Sequence, residues 1–205
     1  MNEMINFLLC GVGGQGTVLA SDVLVSVGLA SGYQAKQAEV HGMSQRGGSV
    51  TSFVRWGKTV NSPLVGSGEV DILLAFEKLE ALRSLNALRK NALAVINNQV
   101  IEPLTVISGD GHYPDDAALK SAFKKVTPHF EFVEGEKIAQ GLGNIRAANV
   151  VLLGALSARL EARGYGGKKL NAETWLKVIT ERVPPKHVEL NRKAFQAGRE
   201  AVGGK

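Results

Sequence analysis

The stretch FLLCGVGGQGTVLAS, residues 7–21, decides what fold to expect. It begins with a short apolar run, breaks into glycines, and from Thr17 onward continues as a predicted helix with a broad apolar face. A buried strand, a glycine turn and a helix in this order are typical of the first unit of a parallel α/β sheet. Gly11, Gly13 and Gly16 also match G-x-G-x-x-G, the dinucleotide-binding fingerprint. The stretch therefore raises the question of whether the chain binds a nucleotide.

Strand-length apolar stretches alternate with helix-like stretches along the rest of the chain. Strands are predicted at 4–10, 33–40, 49–56, 70–76, 92–97 and 130–133, with a hairpin after residue 57 and a short strand at 105–107. Helices are predicted at 17–30, 77–90, 115–126, 145–163, 171–182 and from 184 onward. This predicts an α/β fold: a largely parallel sheet flanked by helices in three layers, Rossmann-like, with a helical C-terminal region. We expect one domain over 1–205, with the sheet in 1–143 and the helical part in 144–205.

Composition and charge argue against several classes of protein. With 44% hydrophobic residues, the 205-residue chain can bury a full core, and its net charge of +5 comes from scattered lysines and arginines, which does not favour nucleic-acid binding. The apolar runs are far shorter than the ~20 residues of a membrane span, and the first residues lack a signal-peptide pattern. We expect a cytoplasmic protein with neither a nucleic-acid nor a membrane partner.

Cys10 is the only cysteine. One thiol cannot form an internal disulfide, and an iron–sulfur cluster or a structural zinc ion needs several ligands. Because Cys10 ends an apolar strand, we expect it to be a small buried core residue. Any metal used in electron transfer would then lie on another chain.

The dinucleotide interpretation is incomplete. A nicotinamide dinucleotide site needs an acidic residue at the end of the second strand, ~20 residues after the glycines, to bind the ribose hydroxyls. Glu39, which lies 23 residues after Gly16, is a nominal candidate, but YQAKQAEV is a poor buried strand. A nucleotide site, a purely structural glycine turn and an anion site at the helix start all remain open.

No complete catalytic motif is present. GDGH at 109–112 begins like the thiamine diphosphate motif, but no asparagine pair follows ~25–30 residues later, so we interpret it as a turn held by Asp110. H-E-x-x-H, G-x-S-x-G and the Walker A lysine are missing, and the histidines form no constellation. We therefore predict no catalytic residue and no metal ligand on this chain.

The segment HGMSQRGG, residues 41–48, combines His41 with Ser44, Gln45, Arg46 and Gly47. An arginine offers a planar donor fork that suits a carboxylate or a phosphate, and glycine lets a neighbouring backbone approach closely. By composition alone, a binding loop and a solvated connection are equally good interpretations.

Three stretches are informative together: GVGGQG at 11–16, EVHGMSQRGGSVTSFVRWG at 39–57 and GLGNIRAANVVLLGAL at 141–156. They closely resemble the gamma domain of the 2-oxoacid:ferredoxin oxidoreductases. The HGMSQRGG form is most similar to the small subunit of the indolepyruvate type. The resemblance implies a subunit of an enzyme that oxidatively decarboxylates a 2-oxoacid to an acyl-CoA and passes the electrons to ferredoxin. A free-standing NAD(P)-dependent oxidoreductase and a non-catalytic binding module are the alternatives.

In that family the cofactors lie elsewhere. The resemblance implies that this chain alone binds none, and that a large partner subunit carries thiamine diphosphate, magnesium and the [4Fe–4S] clusters. It also implies that this chain helps to enclose coenzyme A. We expect the surface facing the partner and coenzyme A to consist of Gly11, Gly13, Gly14, Gln15 and Gly16 together with Ser44, Gln45, Arg46 and Gly47.

The third block contributes Asn144, Arg146 and Asn149. Arg146 and Asn149 are three residues apart, so on a helix they share a face. Two interpretations are open: these residues brace the glycine turn, or they only form hydrogen bonds with a neighbouring turn.

Overall fold

A six-stranded sheet forms the centre of the fold. The computed structural model describes residues 4–41, 48–165 and 170–203. The strands are β1 (Met4–Val12), β2 (Gln34–His41), β3 (Ser49–Gly57), β4 (Val70–Ala75), β5 (Leu88–Asn97) and β6 (Phe130–Val133), in the order β2-β3-β1-β4-β5-β6. β3 runs antiparallel to both of its neighbours, whereas the pairs β1–β4, β4–β5 and β5–β6 are parallel. The predicted largely parallel sheet is confirmed.

Helices cover both faces of the sheet. They are α1 (Thr17–Ala30), α2 (Lys78–Arg83), α3 (Leu104–Ile107), α4 (Asp116–Val126), α5 (Gly135–Gly141), α6 (Ala148–Ala162), α7 (Ala172–Arg182) and α8 (Val188–Gly203), with 3-10 turns at Leu85–Ala87, Ile145–Ala147 and Pro185–His187. Residues of α1, α6, α7 and α8 share one apolar core with the sheet, and Ala81 of α2 and Phe123 of α4 belong to a second core. The predicted three-layer arrangement is therefore confirmed.

β1 explains why the opening stretch is apolar without alternation. Phe7 and Leu9 belong to the first core, whereas Leu8 and Cys10 belong to the second. A parallel strand between two helical layers is buried on both faces, so every position in it favours an apolar residue. The prediction that Cys10 is a buried core residue is confirmed, since its side chain is 1% exposed.

A tryptophan fixes α1 against the sheet. The Trp56 indole Nε1–H donates to the Leu24 backbone carbonyl at 3.1 Å. At Gly28, one turn further along α1, a Cβ atom would lie 2.4 Å from the same indole nitrogen. The absence of a side chain at Gly28 therefore allows α1 to lie directly on β3.

Two predicted helices are wrong in extent, and one predicted strand is wrong in type. The leucines after residue 77 predict a helix to residue 90, but α2 ends at Arg83 and β5 begins at Leu88, which pairs with Val70 of β4. Residues 105–107 form the helical turn α3 rather than a strand, because the Ile107 N–H bonds to the Pro103 carbonyl at 3.1 Å. The helix predicted from residue 145 begins as a 3-10 turn, and α6 proper starts at Ala148.

The hairpin predicted after residue 57 does not form, since residues 58–69, all of them described, contain no strand. β3 already pairs with β1 on one edge and β2 on the other, so no edge of β3 is free for a third strand. The Arg55 guanidinium instead donates to the Ser62 and Leu64 carbonyls at 3.2 and 2.7 Å and holds this segment as a loop. Helix α5 was not predicted.

Candidate functional site

The strand order creates a crevice at one edge of the sheet. α1, which follows β1, lies on one face, and α2, which follows the neighbouring strand β4, lies on the other. After these two adjacent parallel strands, the chain therefore continues on opposite faces of the sheet. In open α/β sheets ligands bind outside the carboxyl ends of the strands at such a switch point.

The glycine turn ends β1 at this crevice and starts α1. Gly14 has a φ of 100° and Gly16 a φ of 81°, a left-handed conformation that glycine adopts without strain. Gly16 is the N-cap of α1 and contributes no side-chain cap. The N–H groups of the first turn of α1 thus have no side-chain acceptor at the cap, which favours an anion or a polar ligand at this helix start.

Asn149 of α6 packs directly against the turn. A Cβ atom at Gly16 would lie 2.6 Å from the Asn149 Nδ2 atom, so any side chain at Gly16 would displace Asn149. At Gly11 a Cβ atom would lie 2.7 Å from the Gln15 Oε1 atom. Gly11 and Gly16 are therefore required by close packing within the crevice as well as by the turn.

The Gln15 side chain braces the turn. Its Oε1 atom accepts from the Val12 N–H at 2.7 Å, and its Nε2 atom donates to the Phe76 carbonyl at 2.8 Å and to the Gln99 Oε1 atom at 2.6 Å. Both ends of the amide are thus used within the protein. Gln15 ties the end of β1 to the residue that follows β4.

Two further polar residues extend this network to α5. The Asn97 Nδ2 atom donates to the Phe76 carbonyl and to Gln99 Oε1, each at 3.1 Å, and Asn97 Oδ1 accepts from the Gly135 N–H, also at 3.1 Å. Gln99 Nε2 donates to the Glu136 carboxylate. The network therefore joins the carboxyl ends of β1, β4 and β5 to the start of α5.

These residues line one cleft of about 360 Å³. Its lining contains polar and apolar groups and comes from five segments: Gly14, Gln15, Gly16, Phe76, Asn97, Gln99, Glu136, Ile145, Arg146, Ala148 and Asn149. Asn149 is 7% exposed, and its amide has no hydrogen-bond partner within 4–41, 48–165 and 170–203. The Asn149 side chain lines the cleft, so its amide can hydrogen-bond a ligand bound there.

Most of the sequence-predicted site residues in the glycine turn lie at the cleft. Gly14, Gln15 and Gly16 line it, Gly11 packs beneath Gln15, and the Gly13 N–H donates to the Gly48 carbonyl at 3.0 Å. The other predicted site residues, Ser44, Gln45, Arg46 and Gly47, lie outside the described residues.

The described residues on either side of segment 42–47 lie at the same edge of the sheet as the glycine turn. β2 ends at His41, and β3 begins at Ser49 opposite Val12. Of these flanking residues, Gly48 contacts the glycine turn directly through the hydrogen bond from the Gly13 N–H.

The third sequence block contributes to the cleft as well. Arg146 lies in the 3-10 turn before α6 and is exposed, and Asn149 lies in the first turn of α6. Both line the cleft, and Asn149 contacts Gly16, as the bracing hypothesis requires. The two residues do not share a regular helix, because the turn that holds Arg146 is 3-10 rather than α-helical.

Asn97, Gln99 and Glu136 also line the cleft, although they were not among the predicted site residues. The available signal was polar residues placed immediately after a buried parallel strand, since such positions fall at the ligand-binding edge of the sheet.

The strand order argues against a dinucleotide site of the usual kind. Such a site needs the acidic residue on the strand next to β1, but here β3 lies between β1 and β2. Glu39 on β2 pairs with Ser52 of β3 and is thus two strands away from the glycine turn.

Outside the cleft, the remaining candidate groups have structural roles. Asp110 accepts from the Ser108 hydroxyl at 2.7 Å, which is the turn predicted for GDGH. Burial raises the pKa of the Cys10 thiol to about 12, so this group is neutral and unreactive in the folded chain. In the part of the chain that the structure describes, no cluster of metal-ligating side chains is present, and no helix is long and apolar enough to cross a membrane.

Comparisons with known proteins give one consistent result. The family model described as pyruvate ferredoxin/flavodoxin oxidoreductase matches residues 6–201. The indolepyruvate oxidoreductase subunit IorB of Thermococcus kodakarensis is 40% identical over 198 residues, which is 96% of this chain and 95% of that protein.

Solved structures share the fold. The gamma subunit of a keto/oxoacid ferredoxin oxidoreductase from Geobacter sulfurreducens has a TM-score of 0.70 at 24% identity and covers 98% of this chain and 99% of that one. The 2-oxoglutarate:ferredoxin oxidoreductase of Magnetococcus marinus, solved with 2-oxoglutarate, coenzyme A and succinyl-CoA bound, has a TM-score of 0.73 at 16% identity. The match covers 100% of this chain but only 32% of the Magnetococcus chain. In that protein, the same fold is therefore one part of a much longer chain.

Proposed function

The chain belongs to the pyruvate ferredoxin/flavodoxin oxidoreductase family, and from this premise we propose that it is the small subunit of a 2-oxoacid:ferredoxin oxidoreductase that acts on indolepyruvate. The observation that carries this proposal is the 40% identity with an indolepyruvate oxidoreductase subunit over 96% of the chain. Full-length similarity supports the same place in the same kind of complex, whereas a shared fold alone does not.

The reaction is the oxidative decarboxylation of a 2-oxoacid. One oxoacid, one coenzyme A thiol and two oxidised ferredoxins give an acyl-CoA, carbon dioxide, two reduced ferredoxins and a proton. Thiamine diphosphate with magnesium and the [4Fe–4S] clusters supply the bond cleavage and the electron transfer from a larger partner subunit. This chain has a single cysteine, Cys10, which is buried, so its contribution is to bind and enclose.

Coenzyme A suits the cleft of this chain. Its phosphates fit the start of α1, where the first-turn N–H groups have no side-chain cap, together with the buried Asn149 amide and the exposed Arg146 guanidinium. Within the described residues Arg146 has no ion-pair partner, so its charge is available to a ligand. We include Arg46 and its neighbours Ser44, Gln45 and Gly47 in the same surface, because the residue that follows them, Gly48, accepts a hydrogen bond from the Gly13 N–H of the glycine turn.

The first experiment is an anaerobic purification of the tagged chain from the cells that produce it. We expect a large co-purifying partner, with iron and thiamine diphosphate in the eluate, and coenzyme A-dependent reduction of ferredoxin with indolepyruvate. A colourless chain without a partner would contradict the proposal. Activity with another 2-oxoacid instead would contradict only the choice of substrate.

The second experiment tests the coenzyme A surface in the assembled complex. Arg146→Ala and Arg46→Ala should each raise the KM for coenzyme A about tenfold and leave kcat within twofold, since a charge-assisted phosphate contact is worth about 1.5–3 kcal/mol. Arg163→Ala is the matched control, because Arg163 is exposed at the far end of α6, away from the cleft. An unchanged KM for coenzyme A in both variants would contradict a coenzyme A site on this chain and would leave contact with the partner subunit as its role.

A further inference from the structure

Two side chains of opposite charge line the cleft without pairing. Arg146 and Glu136 both face it, but within the described ranges neither makes an ion pair with the other or with a different residue. The attraction between two such groups normally brings them together when nothing else binds them. The cleft therefore holds one cation and one acidic group that do not neutralise each other, and we call the parts lined by Arg146 and by Glu136 its basic end and its acidic end.

Gln99 holds Glu136 in one orientation. The Gln99 Oε1 atom accepts from Gln15 Nε2 at 2.6 Å and from Asn97 Nδ2 at 3.1 Å. A flipped Gln99 amide would place its NH₂ group against two NH₂ donors, so its Nε2 atom must face Glu136, as the structure shows. The contact takes up the Oε1 atom of Glu136.

The second carboxylate oxygen of Glu136 remains available. No described residue donates to its Oε2 atom, and the Glu136 side chain is half-buried on the cleft wall. A partly desolvated carboxylate is stabilised only when donors reach it, and it repels an anion. The acidic end of the cleft is therefore suited to a neutral hydrogen-bond donor rather than to a phosphate.

We propose that Glu136 is a specificity-determining residue that accepts a hydrogen bond from a hydroxyl or amide N–H group of the ligand whose phosphate lies at the start of α1, and that Gln99 is its positioning residue. This inference rests on the proposed function. It narrows the ligand class to phosphate esters that carry such donors a short distance from the phosphate, as the pantetheine arm of coenzyme A does. Inorganic pyrophosphate, which lacks such donors, should bind without using Glu136.

Glu136→Gln in the assembled complex is the direct test. The substitution keeps the size of the side chain, and because Gln99 occupies one oxygen, it turns the free oxygen into an NH₂ donor that opposes the donor on the ligand. We expect the KM for coenzyme A, and its Kd measured by calorimetry without oxoacid, to rise about tenfold with kcat within twofold. Gln99→Leu should raise both values by a smaller factor, because Glu136 is retained but no longer oriented.

The matched control is Glu134→Gln. Glu134 lies two residues earlier, is exposed, and accepts from Asn98 Nδ2 outside the cleft lining. Its KM for coenzyme A should equal that of the wild type.

Competition by inorganic pyrophosphate tests the two residues separately. Glu136→Gln should not raise the inhibition constant of pyrophosphate, because the substitution only removes a carboxylate that repels the anion, whereas Arg146→Ala should raise it. If Glu136→Gln leaves coenzyme A binding unchanged while Arg146→Ala weakens it, the role of Glu136 is overturned and the proposed function stands. If neither variant alters coenzyme A binding, the coenzyme A surface itself is refuted.

Discussion

Gly198 of α8 lies against Val151 of α6 so closely that a Cβ atom at residue 198 would be 1.9 Å from the Val151 carbonyl oxygen. The contact is reciprocal along the same helix pair, since a Cβ atom at Gly154 would be 2.1 Å from the Phe195 carbonyl oxygen. Two helices cross at this distance only where both lack side chains. The same helix α6 carries Asn149, which lines the cleft and packs against Gly16.

Gly198→Ala should lower the free energy of unfolding by about 3 kcal/mol or more, because the new methyl group meets backbone atoms that cannot rotate away. Urea unfolding followed by circular dichroism measures the loss. Gly203→Ala is the control in the same helix: a Cβ atom there meets nothing within 4 Å, and alanine favours a helix by up to about 1 kcal/mol over glycine. Equal stability of the two variants would contradict the close crossing.

Gly16→Ala and Gly14→Ala separate backbone strain from contact with Asn149. Both residues have a left-handed φ, so each alanine costs about 1 kcal/mol in strain. Only at Gly16 would the Cβ atom also displace Asn149, which lies 2.6 Å away, whereas at Gly14 nothing lies within 4 Å. We expect Gly16→Ala to destabilise the chain more and to raise the KM for coenzyme A in the complex. Equal values for the two variants would show that Asn149 does not depend on Gly16.

Gln15→Glu tests the brace between the strands. The side chain keeps its shape, but an oxygen replaces the Nε2 atom that donates to the Phe76 carbonyl and to Gln99, so acceptors face one another. We expect a loss of about 1–3 kcal/mol at neutral pH. The new carboxyl group can donate again once protonated, so its pKa is raised in the folded state and part of the lost stability returns as the pH falls. Gln15→Met, which has no titrating group, should show no such recovery.

The strand and helix around the glycine turn could be predicted closely from the sequence, because local signals determine them. β1 is a run of apolar residues, and α1 begins at Thr17 and ends at Ala30 as its composition and flanking glycines indicate. The overextended helix after residue 77 shows the limit of this reasoning. The leucines at 85 and 88 continue a helical period, but Leu88 takes its place in β5 through pairing with Val70, which a local pattern cannot reveal.

The candidate site could be predicted only in part for the same reason. The glycine turn and the stretch 141–156 that contains Asn149 can be recognised as motifs in the sequence. Gln99 and Glu136, in contrast, acquire their role from the order of β1, β4 and β5 in the sheet. The insertion of β3 between β1 and β2, which disfavours a dinucleotide site, is likewise a property of the pairing and has no sequence signature in β1 itself.

Cys10 should be unreactive in the folded chain and should make stability fall at alkaline pH. Burial raises the pKa of its thiol from 9.0 to about 12, the nearby carboxylates of Glu80 and Glu77 add to the rise, and a hydrogen bond with Ser84 opposes it. The thiolate is the form that attacks disulfide reagents, so a reagent such as dithionitrobenzoate should label Cys10 only after unfolding.

Because the pKa is higher in the folded state, the contribution of Cys10 to stability is complete below pH 9.0 and is lost as the pH rises toward 12. Between about pH 8 and about pH 10 this group should remove about 1.4 kcal/mol from the free energy of unfolding, and Cys10→Ala should lack that part of the decline. Rapid labelling of the native chain near pH 8, or the same alkaline decline in Cys10→Ala, would contradict the burial of the thiol.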